Sequence, residues 1–522
     1  MSTTSDSDDE VEARKALLQQ FRARKHAQAK DAAQPAELSP AAADGGEPPL
    51  CVQIGWPRDY VEYTGLWADC RRRGWDVVGT DRRPMPDPAA GAGDGDAAEA
   101  ERRQGGHPDA ACWVPNVQFV PYKKTAWAAL MTGQVLANHY YMRSGIIRKA
   151  ELATTLLPHL RACHPETHVA ELVDDAAREA FAALVRRLVE EGGGLWLLKA
   201  GDSSNATDMH LVNGDELRLA AISSMLGSTC RASWLVQRYI ERPLQVRGFK
   251  FHIRATVLAV GRLKVYLHRH AIVLLASRPY QDAAGGLADL SDLGAHASNH
   301  SLAVSVNPDA EPEALLLADL AAALDAPPPI VDLAAFDPPS APAAVLGQDH
   351  HGEPPVDGTR TWHGAVGGAR DGGRGWGAVA DEELGGAWAA AVWRQLREVT
   401  WRVFHSAQQC EQRKSARVLR AVPCSFEMFG LDAMLDTDGR LWLLELNCDP
   451  DLKVFDTRFQ HTAQEIMRDT VDAAVCTTLG VGAAAADGGH ATGPRREIGG
   501  YHLVLDESDR PDRFFDAHAP EA

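Results

Sequence analysis

Short apolar runs alternate with polar, glycine-containing turns through most of the chain. Residues 51–55 and 75–80 have the apolar character of buried strands, and they flank a segment, 60–74, with helical periodicity. A largely helical region is predicted from about 125 to 191, followed by short strands and turns from 195 to 280. Strands and helices that alternate in this way predict an α/β fold.

The C-terminal half adds an amphipathic helix over 388–404, a strand pair at 424–436 and 440–449, and a last helix over 459–471. Stretches rich in Ala, Pro, Gly and Asp mark loops and linkers between these regions. The predicted parts are a disordered N-terminal arm (1–49), a small α/β domain (51–130, with a loop at 81–110), a central domain (131–301), a low-complexity insertion (302–386), a C-terminal domain (387–482) and a flexible tail (483–522).

Composition narrows the possible functions. The 522 residues include 53 Lys and Arg against 71 Asp and Glu, a formal net charge of −18. A chain this acidic is a poor non-specific ligand for nucleic acid or anionic membranes, so neither is an expected partner. No apolar run is long enough for a membrane span, and the first ten residues lack a signal-peptide pattern. Nine scattered cysteines without a C-x-x-C pair indicate reduced thiols in a cytoplasmic protein.

The strand pair near the C-terminus gathers three oxygen-bearing side chains. Asp438-Gly439 is typical of a two-residue hairpin turn, and such a turn places Asp432 opposite Glu445. Asn447 lies two residues further along the same face. Two carboxylates opposed on apolar strands repel each other, and a hard divalent cation would relieve the repulsion. The pattern predicts a Mg²⁺ site; the alternative is a solvated edge hairpin with ordinary acids.

A second strand region is strongly basic, although the chain as a whole is acidic. Residues 231–280 hold ten Lys and Arg but a single acid, Glu241. Lys250, His252 and Arg254 alternate with apolar residues, so they share one strand face. Such a face favours an anion, and Arg suits phosphate or carboxylate. The alternative is a solvated strand face, but beside a cation-binding hairpin the pattern favours a site for ATP and Mg²⁺.

These segments, in this order, resemble the tubulin–tyrosine ligase-like family, a branch of the ATP-grasp ligases. The stretches that carry the resemblance are LWLLK (195–199), WLVQRYIERPLQVRGFKFHIR (234–254), VYLHRHAIVLLASRPY (265–280), HASNHS (296–301) and FEMFGLDAMLDTDGRLWLLELNCDPDL (426–452), with a looser match at NHYYMRSGIIRKAEL (138–152). The resemblance implies an α/β (α+β) ATP-grasp fold, in which a small N-terminal α/β domain precedes central and C-terminal domains that clamp ATP.

The resemblance also implies a reaction and a set of site residues. ATP phosphorylates a carboxylate, and an amine attacks the acyl phosphate to form an amide. Arg254 and Arg269 would take the catalytic role of holding the γ-phosphate or the reacting carboxylate. The implied nucleotide contacts are Lys199, Gln237, Arg238, Tyr239, Ile240, Lys250, His296 and Asn299. The implied Mg²⁺ ligands are Asp432, Glu445 and Asn447.

Three positions depart from the family pattern. The loop after Lys199, AGDSSNATDMH, has no second lysine and little glycine. His252 stands where the family has aspartate, and Ser298 replaces a threonine. The first two departures leave a catalytically impaired scaffold as an alternative to an active ligase.

Taken together, the sequence predicts an ATP-dependent carboxylate–amine ligase that adds Tyr, Glu or Gly to a protein tail. The expected partners are a tubulin C-terminal tail, of the α or β subunit, and a free amino acid. An acceptor other than tubulin is a further alternative, because an acidic chain is an awkward match to acidic tubulin tails. We expect a cytoplasmic monomer, with association to the cytoskeleton as a variant of that prediction.

Overall fold

The computed structural model describes residues 49–55, 61–80, 85, 115–156, 160–201, 208–280, 292–296, 298, 313–336, 379–412, 418–455, 458–481 and 496–507. The predicted N-terminal arm, nearly all of the 81–110 loop, most of the loop after Lys199, and Asn299 lie outside these residues. None of the described helices combines the length and apolarity that a membrane span requires.

The first sheet is parallel. It contains β1 (Cys51–Ile54), β2 (Asp76–Val78), β3 (Val117–Phe119) and β4 (Leu136–Ala137) in the order β2-β1-β3-β4. Helix α1 (Val61–Arg72) connects β1 to β2, because parallel neighbours need a crossover. Leu66 and Cys70 of this helix join the core formed with the strands. The predicted strand–helix–strand start is confirmed.

The second sheet is antiparallel and is covered by two helices. It contains β5 (Thr167–Glu171), β6 (Trp196–Ala200), β7 (Met209–Val212) and β8 (Ser233–Arg238) in the order β5-β8-β6-β7. Helices α2 (Asp175–Gly192) and α3 (Glu216–Ser228) begin at the capping carboxylates of Asp174 and Asp215. Both helices bury apolar side chains against one face of the sheet. Lys199 and Gln237 are not part of that apolar core.

The third sheet has eight strands. They are β9 (Gln245–Val246), β10 (Phe249–Val260), β11 (Lys264–Leu275), β12 (Ala314–Leu316), β13 (Phe426–Leu435), β14 (Leu441–Cys448), β15 (Glu497–Ile498) and β16 (Tyr501–Asp506). The main path runs β14-β13-β10-β11-β16-β15, with β12 on β11 and β9 on β10. One face packs on helix α4 (Ala387–Gln412), and the other packs on helix α5 (Gln460–Thr470) and the first sheet.

Shorter helical segments fill the connections between these elements. They are Tyr122–Lys124, Trp127–Met131, Ser144–Ile147, Lys149–Glu151, Leu152–Leu156, Leu293–His296, Leu317–Ala323, Leu333–Phe336, Asp381–Leu384, Leu452–Phe455, Val471–Cys476 and Thr477–Leu479. The segment Lys149–Glu151 bears on function, because it lies beside the strand pair that carries the predicted cation ligands.

The predicted boundary at residue 301 does not follow the sheets. Residues 253–260 of β10 pair with 426–433 of β13, so both strands belong to one sheet. The long sequence separation of these partners hid the pairing, since strand patterns show periodicity but not which strand lies next to which.

Two regions predicted to lack structure contain ordered elements. The predicted insertion, 302–386, contributes β12 and the helix Leu317–Ala323, with Leu317 and Leu320 in the main core. The predicted flexible tail contributes β15 and β16, and β16 pairs with β11. Asp469 of α5 accepts a hydrogen bond from Gly500 N–H at 2.7 Å, which ties the terminal hairpin to the helix. Flanking stretches rich in Ala, Gly and Pro concealed both elements.

The hairpin β13–β14 does not have the predicted two-residue turn. Asp436 N–H donates to the Arg440 carbonyl at 3.0 Å, so residues 437–439 form a three-residue turn. Gly439 has φ +76°, the left-handed position expected in such a turn. The Asp436 carboxylate accepts from Asp438 N–H and Arg440 N–H, and these local bonds stabilise the wider turn.

The predicted partners nevertheless face each other. A β-bulge follows Asp432, so Leu444 has no cross-strand partner in the ladder. The extra residue in the turn and the extra residue in the strand cancel in the register. Asp432 therefore lies opposite Glu445, as predicted.

Candidate active site

Five strands contribute polar side chains to one region. Lys199 on β6 and Gln237 on β8 come from the second sheet. Lys250, His252 and Arg254 on β10 come from the third sheet, whose hairpin β13–β14 carries the predicted cation ligands. A cavity lies beside Lys199 and Gln237, and Leu444 of β14 also borders it; its lining is Lys149, Leu152, Ala153, His164, Thr167, Lys199, Leu235, Gln237 and Leu444.

Asp432 is the centre of the hairpin cluster. Arg254 donates to it from two nitrogens, Nε to Oδ1 and Nη2 to Oδ2, both at 2.7 Å. Asn447 Nδ2 lies 3.0 Å from Asp432 Oδ2 and 3.2 Å from Glu445 Oε1. Asn447 thus contacts both predicted carboxylate ligands, which lie opposite each other in the strand register.

Glu445 has its own cationic partner. Lys149 Nζ, from the short helix beside the hairpin, lies 3.1 Å from Glu445 Oε2. Burial alone would raise the pKa of Glu445, but the charges of Lys149 and Lys199 outweigh it and lower the pKa to about 2. The pKa of Arg254 is raised above its ordinary value although burial opposes this, because Asp432 stabilises the charge of the guanidinium group. Glu445 and Arg254 are therefore charged at neutral pH.

This cluster corrects one step of the sequence argument. The predicted repulsion between Asp432 and Glu445 is already neutralised, since Arg254 and Lys149 supply two positive charges. A cation is therefore not required to hold the hairpin together.

The residues nevertheless fit a cation. An ionised carboxylate offers about four acceptor sites; Arg254 and Asn447 occupy three on Asp432, and Lys149 and Asn447 occupy two on Glu445. Lone pairs remain on both carboxylates. The side-chain amide of Asn447 can present either its oxygen or its nitrogen by a simple flip.

Two further lysines face only neutral partners. Lys199 Nζ donates to Gln237 Oε1 at 2.8 Å, and Lys250 Nζ donates to Tyr239 OH at 2.9 Å and lies 4.3 Å from the centre of its ring. Within the described ranges, neither lysine has a carboxylate at ion-pair distance. Burial lowers the pKa of Lys199 to about 8 and, together with the charge of Lys199, that of Lys250 to about 7.

The predicted nucleotide residues on either side of these lysines separate into two groups. Gln237 bridges Lys199 and Thr167, and Tyr239 OH contacts His296 Nδ1 at 3.1 Å, so both belong to the cluster. Arg238 instead donates to the Gly192 and Gly193 carbonyls at the end of α2. Its side chain therefore points away from the lysines. Ile240 follows β8 and is partly buried.

Arg269 does not join Asp432. Residues 268–270 interrupt the pairing of β10 with β11, and Arg269 ion-pairs with Glu465 of α5. Its other side-chain contact is His270 Nε2 at 3.3 Å. The resemblance implied a site role for Arg269, but an irregularity of this kind changes the direction of side chains and is not visible in the local sequence pattern.

His252 is buried beside the cluster. Its Nδ1 lies 2.7 Å from Ser298 Oγ, and its Nε2 lies 3.9 Å from Asp432 Oδ2. Burial lowers the pKa of His252 below its ordinary value, although Asp432 opposes that effect. His252 and Ser298, two of the positions that depart from the family pattern, thus contact each other.

Sequence reasoning missed Lys149. It lies within the stretch 138–152 that carries the looser resemblance, but nothing in its local pattern indicates a partner 296 residues away. The bulged residue Leu444 was also missed. Leu444 directly precedes Glu445 and lines the cavity. In a regular strand these two neighbours would point to opposite faces, but the bulge removes that constraint.

Comparison with known proteins identifies the family. A sequence model of the Tubulin-tyrosine ligase family matches residues 130–314 and 381–480, more than half of the chain. The chain belongs to the tubulin-tyrosine ligase family. The matched residues include every candidate cation ligand and every candidate nucleotide contact described above.

Several curated members of the family resemble this chain at low sequence identity. A tubulin monoglycylase of Danio rerio is 24% identical over 263 residues, which cover 49% of this chain and 26% of that protein. A probable tubulin–tyrosine ligase of Schizosaccharomyces pombe is 28% identical over 193 residues, 28% of this chain and 47% of that protein. A tubulin polyglutamylase of Caenorhabditis elegans is 25% identical over 225 residues, which cover 42% of this chain and 28% of that protein. The chain therefore spans less than half of each of these relatives.

A solved structure supports the fold. The C-terminal domain of K. lactis Pby1, described as an ATP-grasp enzyme that interacts with the mRNA decapping enzyme Dcp2, superposes with a TM-score of 0.51. The two chains are 17% identical, and the match covers 88% of this chain and 99% of that domain. The predicted α/β ATP-grasp fold is confirmed.

Proposed function

We propose that this member of the family is an ATP-dependent ligase that joins an amino acid to a protein tail through an acyl phosphate. Tubulin is the proposed acceptor, because the curated relatives include a tubulin glycylase, a polyglutamylase and a probable tyrosine ligase. Under this proposal the protein acts in the cytoplasm, on soluble tubulin or on the cytoskeleton.

One observation carries the proposal: Lys199 and Lys250 donate to neutral side chains, and neither has a carboxylate at ion-pair distance among the described residues. Buried cations are stable only when paired or solvated, so this arrangement favours an anionic ligand. The phosphates of ATP have the required charge, and Gln237 and Tyr239 hold the two ammonium groups in place.

The chain's own residues would act mainly by placement and charge. Lys199 and Lys250 would bind phosphate oxygens, while Asp432, Glu445 and Asn447 would hold Mg²⁺. The cation would neutralise charge on the nucleotide and orient the transferred phosphoryl group. Arg254 would exchange Asp432 for an oxygen of the acyl phosphate, where its fork of donors suits the anion. Lys149 keeps Glu445 ionised.

The test is calorimetric titration of ATP into the full chain, with and without Mg²⁺, on wild type and Glu445→Gln. We expect Mg²⁺-dependent binding that weakens at least tenfold in the variant, in line with the loss of a cation ligand. Glu179→Gln, on an exposed glutamate of α2, is the matched control and should bind like wild type. Binding would then justify assays with Tyr, Glu and Gly on tubulin and on tail peptides.

A catalytically impaired scaffold is the second candidate. It is favoured because both arginines expected to hold phosphate or carboxylate are already paired, Arg254 with Asp432 and Arg269 with Glu465. Under this alternative, ATP binding would be absent or would persist without transfer of any amino acid to any tail. Turnover of ATP that depends on an amino acid and an acceptor would exclude it.

A further inference from the structure

A separate group of potential metal ligands lies at the terminal hairpin, at the opposite edge of the third sheet from β14. Glu383, Glu497 and His502 each offer one ligand atom, and these three atoms all lie within 4.8 Å of one another. Glu497 and His502 are directly opposite in the pairing of β15 with β16, so their side chains share one face. Glu383 comes from the short helix Asp381–Leu384, which precedes α4.

His502 is the buried member of this group. Its side chain is 7% exposed, and no described residue forms a hydrogen bond with its Nε2. Nδ1 lies 3.9 Å from Glu497 Oε2, which is beyond hydrogen-bond distance. Leaving a buried imidazole unsatisfied is costly, so such a ring in a native protein calls for an explanation.

The two carboxylates of the group lack a cationic side chain. In the ranges that the structure describes, neither Glu383 nor Glu497 lies at ion-pair distance from a lysine or arginine. Arg394 of α4 pairs with Asp381 instead. Two like charges this close repel each other, and a divalent cation would offset the repulsion. Exposed acids are often solvated by water alone, so the buried histidine is what distinguishes this group.

The ring of His502 is held in place before any ion binds. It packs edge-to-face on Trp393 of α4, with ring centres 5.4 Å apart at an angle of 82°. Trp393 is itself fixed, because its Nε1 donates to the His268 carbonyl at 3.2 Å. Burial lowers the pKa of His502 to about 4, so at pH 7 the ring is neutral and keeps a lone pair for a metal.

The distances suit a small metal ion. Ligands of a tetrahedral ion, each about 2.0–2.1 Å from it, are separated by roughly 3.4 Å. The 3.9 Å between His502 Nδ1 and Glu497 Oε2 is about 0.5 Å longer, and the third ligand atom needs to move by at most about 1.5 Å. Both glutamate side chains are exposed, so rotation about their own bonds can close these differences while the backbone stays in place.

We propose that Glu383, Glu497 and His502 bind a divalent transition-metal ion, of which Zn²⁺ fits best, with water completing its coordination. Imidazole and carboxylate are both common ligands of Zn²⁺, whereas Mg²⁺ and Ca²⁺ take oxygen ligands. The bound ion would join the terminal hairpin to the segment that precedes α4. This inference goes beyond the proposed function and does not depend on it.

Two other groups of potential ligands occur in the described parts of the chain, and a carboxylate of each is already ion-paired. Glu427 pairs with Arg143 at 2.6 Å, and Glu465 pairs with Arg269. Of the three groups, the one at the terminal hairpin therefore has the carboxylates that are most available to a metal.

The test is calorimetric titration of Zn²⁺ into untagged, metal-free, full-length protein, with Mg²⁺ in large excess to occupy the hairpin β13–β14. We expect one Zn²⁺ ion, whose binding weakens at least tenfold in His502→Gln and in Glu497→Gln. The matched controls are His461→Gln of α5 and Glu179→Gln of α2, both on exposed side chains, and both should bind like wild type.

A second measurement separates loss of the site from loss of the fold. Thermal unfolding in the presence of a chelator establishes that each variant is folded, and Glu383→Gln and Glu497→Gln alter only exposed side chains. Zn²⁺ at about a hundredfold excess over its dissociation constant should raise the melting temperature of wild type but not of these variants. A chain that ends at Glu507 keeps all three ligands and should respond to Zn²⁺ like the full chain.

The outcomes distinguish this site from the candidate active site. Zn²⁺ that does not bind, or that binds equally well to the Glu383, Glu497 and His502 variants, would overturn the proposal. Zn²⁺ binding that is lost in Glu445→Gln but kept in His502→Gln would also overturn it, because the ion would then lie at the hairpin β13–β14.

Discussion

At the scale of residues, the site contains lysines with two kinds of partner. Lys149 faces the carboxylate of Glu445, whereas Lys199 and Lys250 face a side-chain amide and a phenol. A lysine whose charge is not compensated releases its proton readily when buried. The two kinds of lysine should therefore respond differently to pH and to ligands.

The first prediction concerns proton uptake on ATP binding. In the nucleotide-free protein the pKa of Lys250 is lowered to about 7 and that of Lys199 to about 8. Bound phosphate would raise both pKa values, so at pH 8 the protein should take up roughly one proton when ATP binds. Calorimetry in buffers of different ionisation enthalpy measures this number. Lys250→Met should lower it, and Lys124→Met, on an exposed turn, should not.

The second prediction concerns stability. Below pH 7 Lys250 is protonated in both the folded and the unfolded chain, and burial of the charge opposes folding. Between pH 7 and about 10.5 only the unfolded chain keeps the proton, so stability rises with pH. Lys250→Met should therefore stabilise the nucleotide-free protein at pH 6.5 by more than at pH 9. Urea denaturation at both pH values measures the difference, and an equal gain at both would contradict the lowered pKa.

At the scale of elements, the hairpin β13–β14 depends on its turn. Gly439 has φ +76°, and a Cβ there would lie only 2.0 Å from the Pro329 carbonyl oxygen. Val331 N–H and Gln395 Nε2 both donate to the Gly439 carbonyl. Gly439 is therefore enclosed by other parts of the chain, whereas Thr437 and Asp438 of the same turn are exposed.

The third prediction follows from that enclosure. Gly439→Ala should destabilise the protein by more than the roughly 1–2 kcal/mol of a left-handed alanine, because the methyl group also meets Pro329. Gly74→Ala is the matched control, since Gly74 has φ +77° but nothing within 4 Å of an added Cβ. Chemical denaturation of both variants isolates the steric part. Equal losses would indicate that the Pro329 segment moves aside.

Strand patterns explain what could be predicted at this scale. Alternation and the charge inversion in 231–280 placed Lys250 and Arg254 on one face, because regular strands obey a period of two. Asp432 lies opposite Glu445 as predicted only because the extra turn residue and the bulge at Leu444 offset each other. Arg269 was expected in the site from the family resemblance, whereas it lies in the irregularity at 268–270 and ion-pairs with Glu465. Irregular pairing depends on how the strand fits its partner strand, and the local sequence pattern of one strand carries no information about that fit.

At the scale of the whole molecule, the chain closes the third sheet with its last described residues. Tyr501–Asp506 pair with the 264–268 part of β11, and Gly500 is hydrogen-bonded to Asp469. Tyr501 is fully buried and also contacts Thr470 of α5. Composition alone suggested a flexible tail here. Burial of Tyr501 and backbone pairing decide otherwise, and neither is visible in a low-complexity pattern.

The fourth prediction concerns truncation. Removing residues 496–522 should expose the β11 edge and the Tyr501 pocket, and so lower the melting temperature by several degrees and promote aggregation. A chain that ends at Glu507 keeps the hairpin and should melt like the full chain. Thermal unfolding and light scattering compare the two. Identical behaviour of both truncated chains would restore the flexible-tail prediction for 496–507.

The bulge at Leu444 has a consequence for how the hairpin tolerates changes in length. The extra turn residue and the bulged residue offset each other, so the opposition of Asp432 and Glu445 depends on both of them. If one turn residue is deleted and the turn keeps three residues, Leu441–Leu443 shift by one place, and Glu445 regains its alignment when the bulge is lost. The carboxylate pair is thus buffered against that deletion, whereas in an unbulged strand the same deletion would reverse the face of every residue beyond the turn.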